Sequence, residues 1–73
     1  MKPLKPLSPM QEKIARLCGQ GLSRTFIARE LKISEATVRN HIEDAVNKLP
    51  AAAGQISPYK RLMLWAAVHY QAQ

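Results

Sequence analysis

Apolar residues recur at three- and four-residue steps along most of the chain, and serine, glycine and proline break the pattern at a few places. Met10, Ile14, Leu17 and Cys18 make the first stripe, one face of a helix. Ser8-Pro9 opens it. The serine suits the N-cap, the proline suits the first helical position, and Gln11 completes an S-x-x-Q capping box. Gly19 and Gly21 bracket its end, and either suits a left-handed C-terminal turn. Leu22 then points back to the core. Ser23 caps a second, short helix with an apolar face of Phe26, Ile27, Ala28 and Leu31. Lys32-Ile33-Ser34 is a tight connection. Ser34 caps a third helix whose buried stripe is Val38, Ile42, Ala45, Val46 and Leu49. Glu35 stands in its first turn, where the helix dipole favours negative charge. Pro50 ends it.

Residues 51–56 read as a flexible connector, after which Ser57-Pro58 repeats the start signal of the first helix. A fourth helix is predicted over 58–70. Its apolar residues Tyr59, Leu62, Met63, Trp65, Ala66 and Val68 wrap more than one face, more than a single core contact needs. No period-2 run and no Asn-Gly or Asp-Gly turn suggests a strand. The expected fold class is all-α with four helices. A basic arm over residues 1–6, extended by Pro3 and Pro6, precedes one domain over 7–73.

Length makes that domain marginal. At 73 residues the chain supports one thin core, which calls for idealised packing, a staple or a partner subunit. Cys18 is the sole cysteine, so no internal disulfide forms. A structural zinc site wants about four clustered ligands, and His41 and His69 lie far apart, so no metal and no cofactor are expected. A free thiol fits a reducing cytoplasm. No signal peptide is evident. The longest apolar run, 62–68, is far short of the ~20 residues that span a bilayer. A soluble, cytoplasmic protein is expected.

Charge narrows the partner. The net charge is +6 and the sequence pI about 10.0. A surface this basic draws polyanions, nucleic acid first and an anionic membrane second, although excess lysine also aids solubility. The third helix is itself net negative, with Glu35, Glu43 and Asp44 against Arg39 and Lys48. The positive charge lies in the arm, in the first two helices and at Lys60-Arg61.

Residues 23–49 give that charge a purpose. Two short helices joined by a three- or four-residue turn make a helix-turn-helix. A small residue is needed where the helices cross, and Ala28 supplies it. Four residues on, the turn usually takes glycine, and Lys32 stands there at a cost of about 1 kcal/mol. Ten residues after Ala28 an apolar residue must fill the angle, and Val38 does. Such a pair also occurs as a packing hairpin without a DNA role. Against that reading, polar residues gather at the start of the third helix, the end that enters the major groove in this motif. Arg39 suits guanine O6/N7 and Asn40 suits adenine N6/N7. Ala36 is placed beside the bases. Ser23, Arg24, Ser34 and Thr37 suit phosphates. Lys2 and Lys5 reach phosphates if the arm orders on DNA.

The runs Leu7-Ser8-Pro9, Gly21-Leu22-Ser23, Ile27-Ala28, Leu31, Ile33-Ser34-Glu35, Thr37-Val38-Arg39-Asn40-His41-Ile42 and Lys48-Leu49 resemble a LuxR-type (GerE-like) DNA-binding domain. The resemblance is close over about 7–49. It implies a four-helix domain with the third helix in the major groove, and a homodimer on an inverted repeat, commonly through the fourth helix. It implies base contacts from Arg39 and Asn40, with Ser23, Thr37 and His41 near the backbone. Three features depart from the pattern. Met10 and Gln11 replace a usual Arg-Glu pair. Glu43 stands where several members carry a base-contacting basic residue, and either accepts from cytosine N4 or faces solvent. The 50–56 link is longer than usual. His41 is read either as a phosphate contact or as a packed, hydrogen-bonded residue.

The leading expectation is a dimeric transcriptional regulator of double-stranded DNA. Tyr59, Leu62, Met63, Trp65, Ala66 and His69 form the expected dimer or partner surface, while Trp65 with Leu62 and Val68 reads equally well as plain core. The chain starts at Met1 with no sensor domain ahead, so control is expected from expression level, a partner or dimerisation. A second expectation is an interaction module, an anti-activator or an adaptor resembling sigma region 4, that binds RNA polymerase or another regulator through the fourth helix. An enzyme is not expected: no carboxylate pair, Ser/Cys–His arrangement or phosphate loop is present. Cys18 lacks an activating neighbour and reads as a small core residue.

Overall fold

The computed structural model describes residues 5–50 and 56–70. Lys2 and the connector residues 51–55 lie outside the described residues. Among the described residues four helices follow one another: α1 (Pro9–Gly19), α2 (Arg24–Leu31), α3 (Glu35–Asn47) and α4 (Pro58–His69). No strand occurs among the described residues.

A serine starts every helix. Ser8, Ser23, Ser34 and Ser57 are extended N-caps, and their hydroxyls accept from the backbone N–H groups of Gln11, Phe26, Thr37 and Lys60. Each bond satisfies a donor that the helix itself leaves without an acceptor. At α1 the box is reciprocal, because the Gln11 side-chain oxygen accepts from the Ser8 N–H at 3.0 Å. Helix ends are equally defined. Gly21 takes φ +85°, so its N–H reaches the Cys18 carbonyl and the Leu22 N–H reaches that of Leu17. This is a Schellman turn, and it chooses Gly21 over Gly19 as the left-handed residue.

Gly19 has another task. A Cβ built there would stand 3.0 Å from the carbonyl carbon and the Cβ of Ala66. Its missing side chain lets α4 cross close over the end of α1. α4 packs on both α1 and α3, and α2 packs on α1 and α3. Ile14, Ala15, Cys18, Ile27, Val38, Ile42, Ala45, Leu49, Leu62 and Ala66 meet in one core. Phe26, placed by sequence on the apolar face of α2, is instead 43 % exposed. Ile27, Ala28 and Leu31 turn inward, and Phe26 falls about 100° away from that stripe.

Arg16 and three aromatic residues close the seam between α1 and α4. Trp65 stacks on His69 with ring centroids 4.4 Å apart, and Tyr70 sits edge-on to both. The Arg16 guanidinium lies over the Tyr70 ring at 4.2 Å and pairs with Glu12 at 3.0 Å. Burial pushes the Tyr70 phenol up, the Glu12 charge adds to this, and Arg16 opposes it.

Candidate nucleic-acid interface

α2 and α3 are joined through Lys32, which takes φ 58° and ψ 44°, the left-handed conformation expected of the turn. Its strain is held by the backbone around it. The Ile33 N–H donates to the Ala28 carbonyl at 3.0 Å and the Lys32 N–H to that of Arg29. Ala28 is buried at the helix crossing and Val38 fills the angle. The hairpin core predicted from spacing is therefore in place.

The outer face of α3 carries the candidate contact residues. Ala36, Arg39, Asn40 and Glu43 are exposed, while Val38, Ile42, Ala45 and Val46 face inward. The two sets interleave at the helical period, so packing fixes the direction in which the exposed set points. Ser34 and Thr37 share a hydroxyl bond of 2.8 Å at the N-terminus of α3. His41 is half-buried on the flank of the helix. Ser23, Arg24 and Lys5 are exposed. Arg24, Glu35, Ala36 and Arg39 line one open depression between the two helices. Arg24 and Arg39, one from each helix, thus share a surface.

Two contacts in this region carry no sequence signal. The Thr25 hydroxyl donates to the Glu35 carboxylate at 3.1 Å and ties the first turns of α2 and α3 together. The Lys48 ammonium donates to the Gln11 side-chain oxygen at 2.7 Å. Gln11 is only 6 % exposed, so the bond braces the C-terminus of α3 against α1. Both join residues distant in the chain, where no spacing rule applies.

The model of bacterial regulatory proteins of the luxR family matches residues 5–55. The chain belongs to this family. It is a LuxR-type helix-turn-helix protein, of a family of DNA-binding transcription regulators. The match takes in α1, α2 and α3 and ends before α4. No curated protein and no solved structure matches the chain. The Arg-Glu pair that the LuxR resemblance leads one to expect at Met10 and Gln11 is replaced by the neutral Gln11 oxygen holding Lys48.

The α4 surface differs from the one expected. Leu62 and Ala66, assigned by sequence to a dimer or partner surface, are fully buried. As an i, i+4 pair they lie on the face that α4 turns to α1 and α3. Tyr59, Met63 and Trp65 are half-buried and packed against the core, and His69 is exposed. The large apolar residues left outward on α4 are Leu64, 52 % exposed, and Val68, 67 % exposed. They form their own i, i+4 pair, a spacing readable in the sequence once the core face is known. No helix among the described residues is long and apolar enough to cross a membrane.

Proposed function

We propose that this protein is a sequence-specific transcription regulator that lays α3 in the major groove and binds an inverted repeat as a homodimer in the cytoplasm. The observation that carries this reading is the outward row of Ala36, Arg39, Asn40 and Glu43 on a helix whose opposite face is locked into the core. Arg39 takes a guanine bidentately and Asn40 an adenine. Ala36 lies against a base edge, where a methyl group suits thymine. Glu43 reaches cytosine N4 or stays in solvent. Ser23, Arg24, Ser34, Thr37 and His41 hold the backbone, with Lys2 and Lys5 from the arm adding charge. Because α3 is itself net negative, its basic flanks supply most of the salt-dependent affinity.

Binding-site selection at stated salt tests this reading. A two-fold symmetric site with half-sites about one helical turn apart, ~34 Å, and a clearly negative slope of log affinity against log salt are expected. A slope near zero overturns DNA binding. A non-palindromic site overturns the dimer.

The exposed pair Leu64 and Val68 supports a contact surface on α4, and in this reading a second copy covers it. An adaptor that binds RNA polymerase or another regulator would use the same face. Arg39→Ala and Leu64→Glu separate the two. Loss of regulation with Arg39→Ala supports DNA reading. Intact regulation with Arg39→Ala, together with its loss in Leu64→Glu, supports the adaptor.

A further inference from the structure

α2 and α4 have no helix-to-helix packing. One side chain nevertheless spans the gap. Tyr59, in the first turn of α4, donates its hydroxyl to the main-chain carbonyl of Leu22, immediately before the N-cap of α2. The Leu22 N–H is already held by the Leu17 carbonyl. With its carbonyl held as well, the planar peptide between Leu22 and Ser23 has a fixed orientation. Ser23 then caps α2 through the Phe26 N–H at 3.1 Å. The Arg24 guanidinium lies 5.8 Å from the centre of the Tyr59 ring, within range of a cation–π attraction. Gly21, Ser23, Arg24 and Tyr59 line one open depression.

We infer that Tyr59 is a positioning residue for DNA-backbone contact: it fixes the Leu22–Ser23 peptide and the Arg24 side chain, so that α4 aims the phosphate-facing end of α2. The inference rests on the DNA reading above. The Leu22 carbonyl can only accept, so the phenol proton is committed to it and does not reach a phosphate. Burial is the main cause that pushes the Tyr59 phenol above its ordinary value; the nearby Cys18 adds to this and Arg24 opposes it. The hydroxyl therefore remains a donor throughout the neutral range. Tyr59 was expected at a partner surface; its hydroxyl instead points into the same molecule.

Tyr59→Phe in the full chain tests this, since it keeps the ring and removes the hydroxyl. Affinity is measured across a salt series for the selected duplex and for a random duplex of equal length. The expected result is about 3- to 10-fold weaker binding to both duplexes, the range of one net hydrogen bond. Their affinity ratio stays unchanged; the salt slope holds in Tyr59→Phe, whose ring still meets Arg24, and becomes shallower by about one contact in Tyr59→Leu, which removes the ring. In a Ser23→Ala/Arg24→Ala background Tyr59→Phe has no further effect. Hydrogen exchange supplies a second readout. The Phe26 and Ile27 amides exchange faster, while those within α1 and α4 keep their protection. Wild-type affinity in Tyr59→Phe or a wild-type slope in Tyr59→Leu overturns the inference, as does a uniform loss of protection through all four helices. If the wild-type chain itself shows no salt-dependent affinity for either duplex, the DNA reading fails, and this inference with it.

Discussion

Gln11 and Lys48, 37 positions apart, meet at 2.7 Å through the amide oxygen of one and the ammonium of the other. The same oxygen also accepts the Ser8 N–H. A single neutral atom therefore completes a helix cap and braces the end of α3. Gln11→Ala removes both bonds and leaves Lys48 without this acceptor. A loss of about 1–2 kcal/mol in unfolding free energy is expected by urea titration. Gln11→Glu keeps an acceptor for both bonds and converts the brace to an ion pair, so its stability should equal or exceed wild type.

Arg39→Ala leaves the fold untouched, because the side chain is exposed. Specific binding should weaken by about 1–3 kcal/mol, and one base position in each half-site should lose its preference. Arg24→Ala should instead weaken all sequences alike and reduce the salt slope. Repeating site selection with each variant distinguishes the two patterns.

Gly19→Ala sets two effects against each other. Alanine improves helix propensity by about 1 kcal/mol. Its methyl group meets the α4 backbone at 3.0–3.1 Å, at the Ala66 carbonyl carbon and the Ala67 nitrogen. Backbone cannot swing aside as a side chain can, so α1 and α4 must separate. Overpacking of about 1–3 kcal/mol should win. A lower thermal midpoint for Gly19→Ala checks it.

Lys32→Gly should move stability the other way. The left-handed backbone at Lys32 costs about 1 kcal/mol for a residue with a Cβ. Glycine removes that strain and gives back part of the gain through a freer unfolded chain. A net gain of about 0.5 kcal/mol is expected, visible as a rise of a few degrees in Tm.

Cys18 makes stability depend on alkaline pH. Burial pushes its thiol from 9.0 to about 11, with Arg24 pulling the other way. Between these values the unfolded chain loses the proton while the folded chain keeps it. The contribution is therefore complete below pH about 9 and is lost as pH rises through about 11. Urea midpoints at pH 8 and pH 10.5 should fall further for wild type than for Cys18→Ala. Tyr59 and Tyr70, also raised by burial, act in the same direction in both proteins. Slow reaction of Cys18 with thiol reagents at pH 8 is expected for the same reason.

The helices and their starts were legible because their causes are local. A serine hydroxyl reaches an N–H three residues on, and apolar residues at three- and four-residue steps share a face whatever lies opposite. The helix-turn-helix was legible for a similar reason. Ala28, Lys32 and Val38 sit at spacings that the turn itself imposes, and the strained Lys32 was foreseeable from its place alone. The outward row from Ala36 to Glu43 followed once Val38 and Ile42 were assigned to the core.

Only the tertiary structure decided what met what. α4 is apolar on more than one face, so periodicity alone cannot say which face is inside. The close crossing at Gly19 turned Leu62 and Ala66 inward and left Leu64 and Val68 outside. The bonds Gln11–Lys48, Thr25–Glu35 and Tyr59–Leu22 depend on how the helices dock. Hydrogen bonds between distant residues have no period, and their partners become neighbours only after the core has set the helix positions.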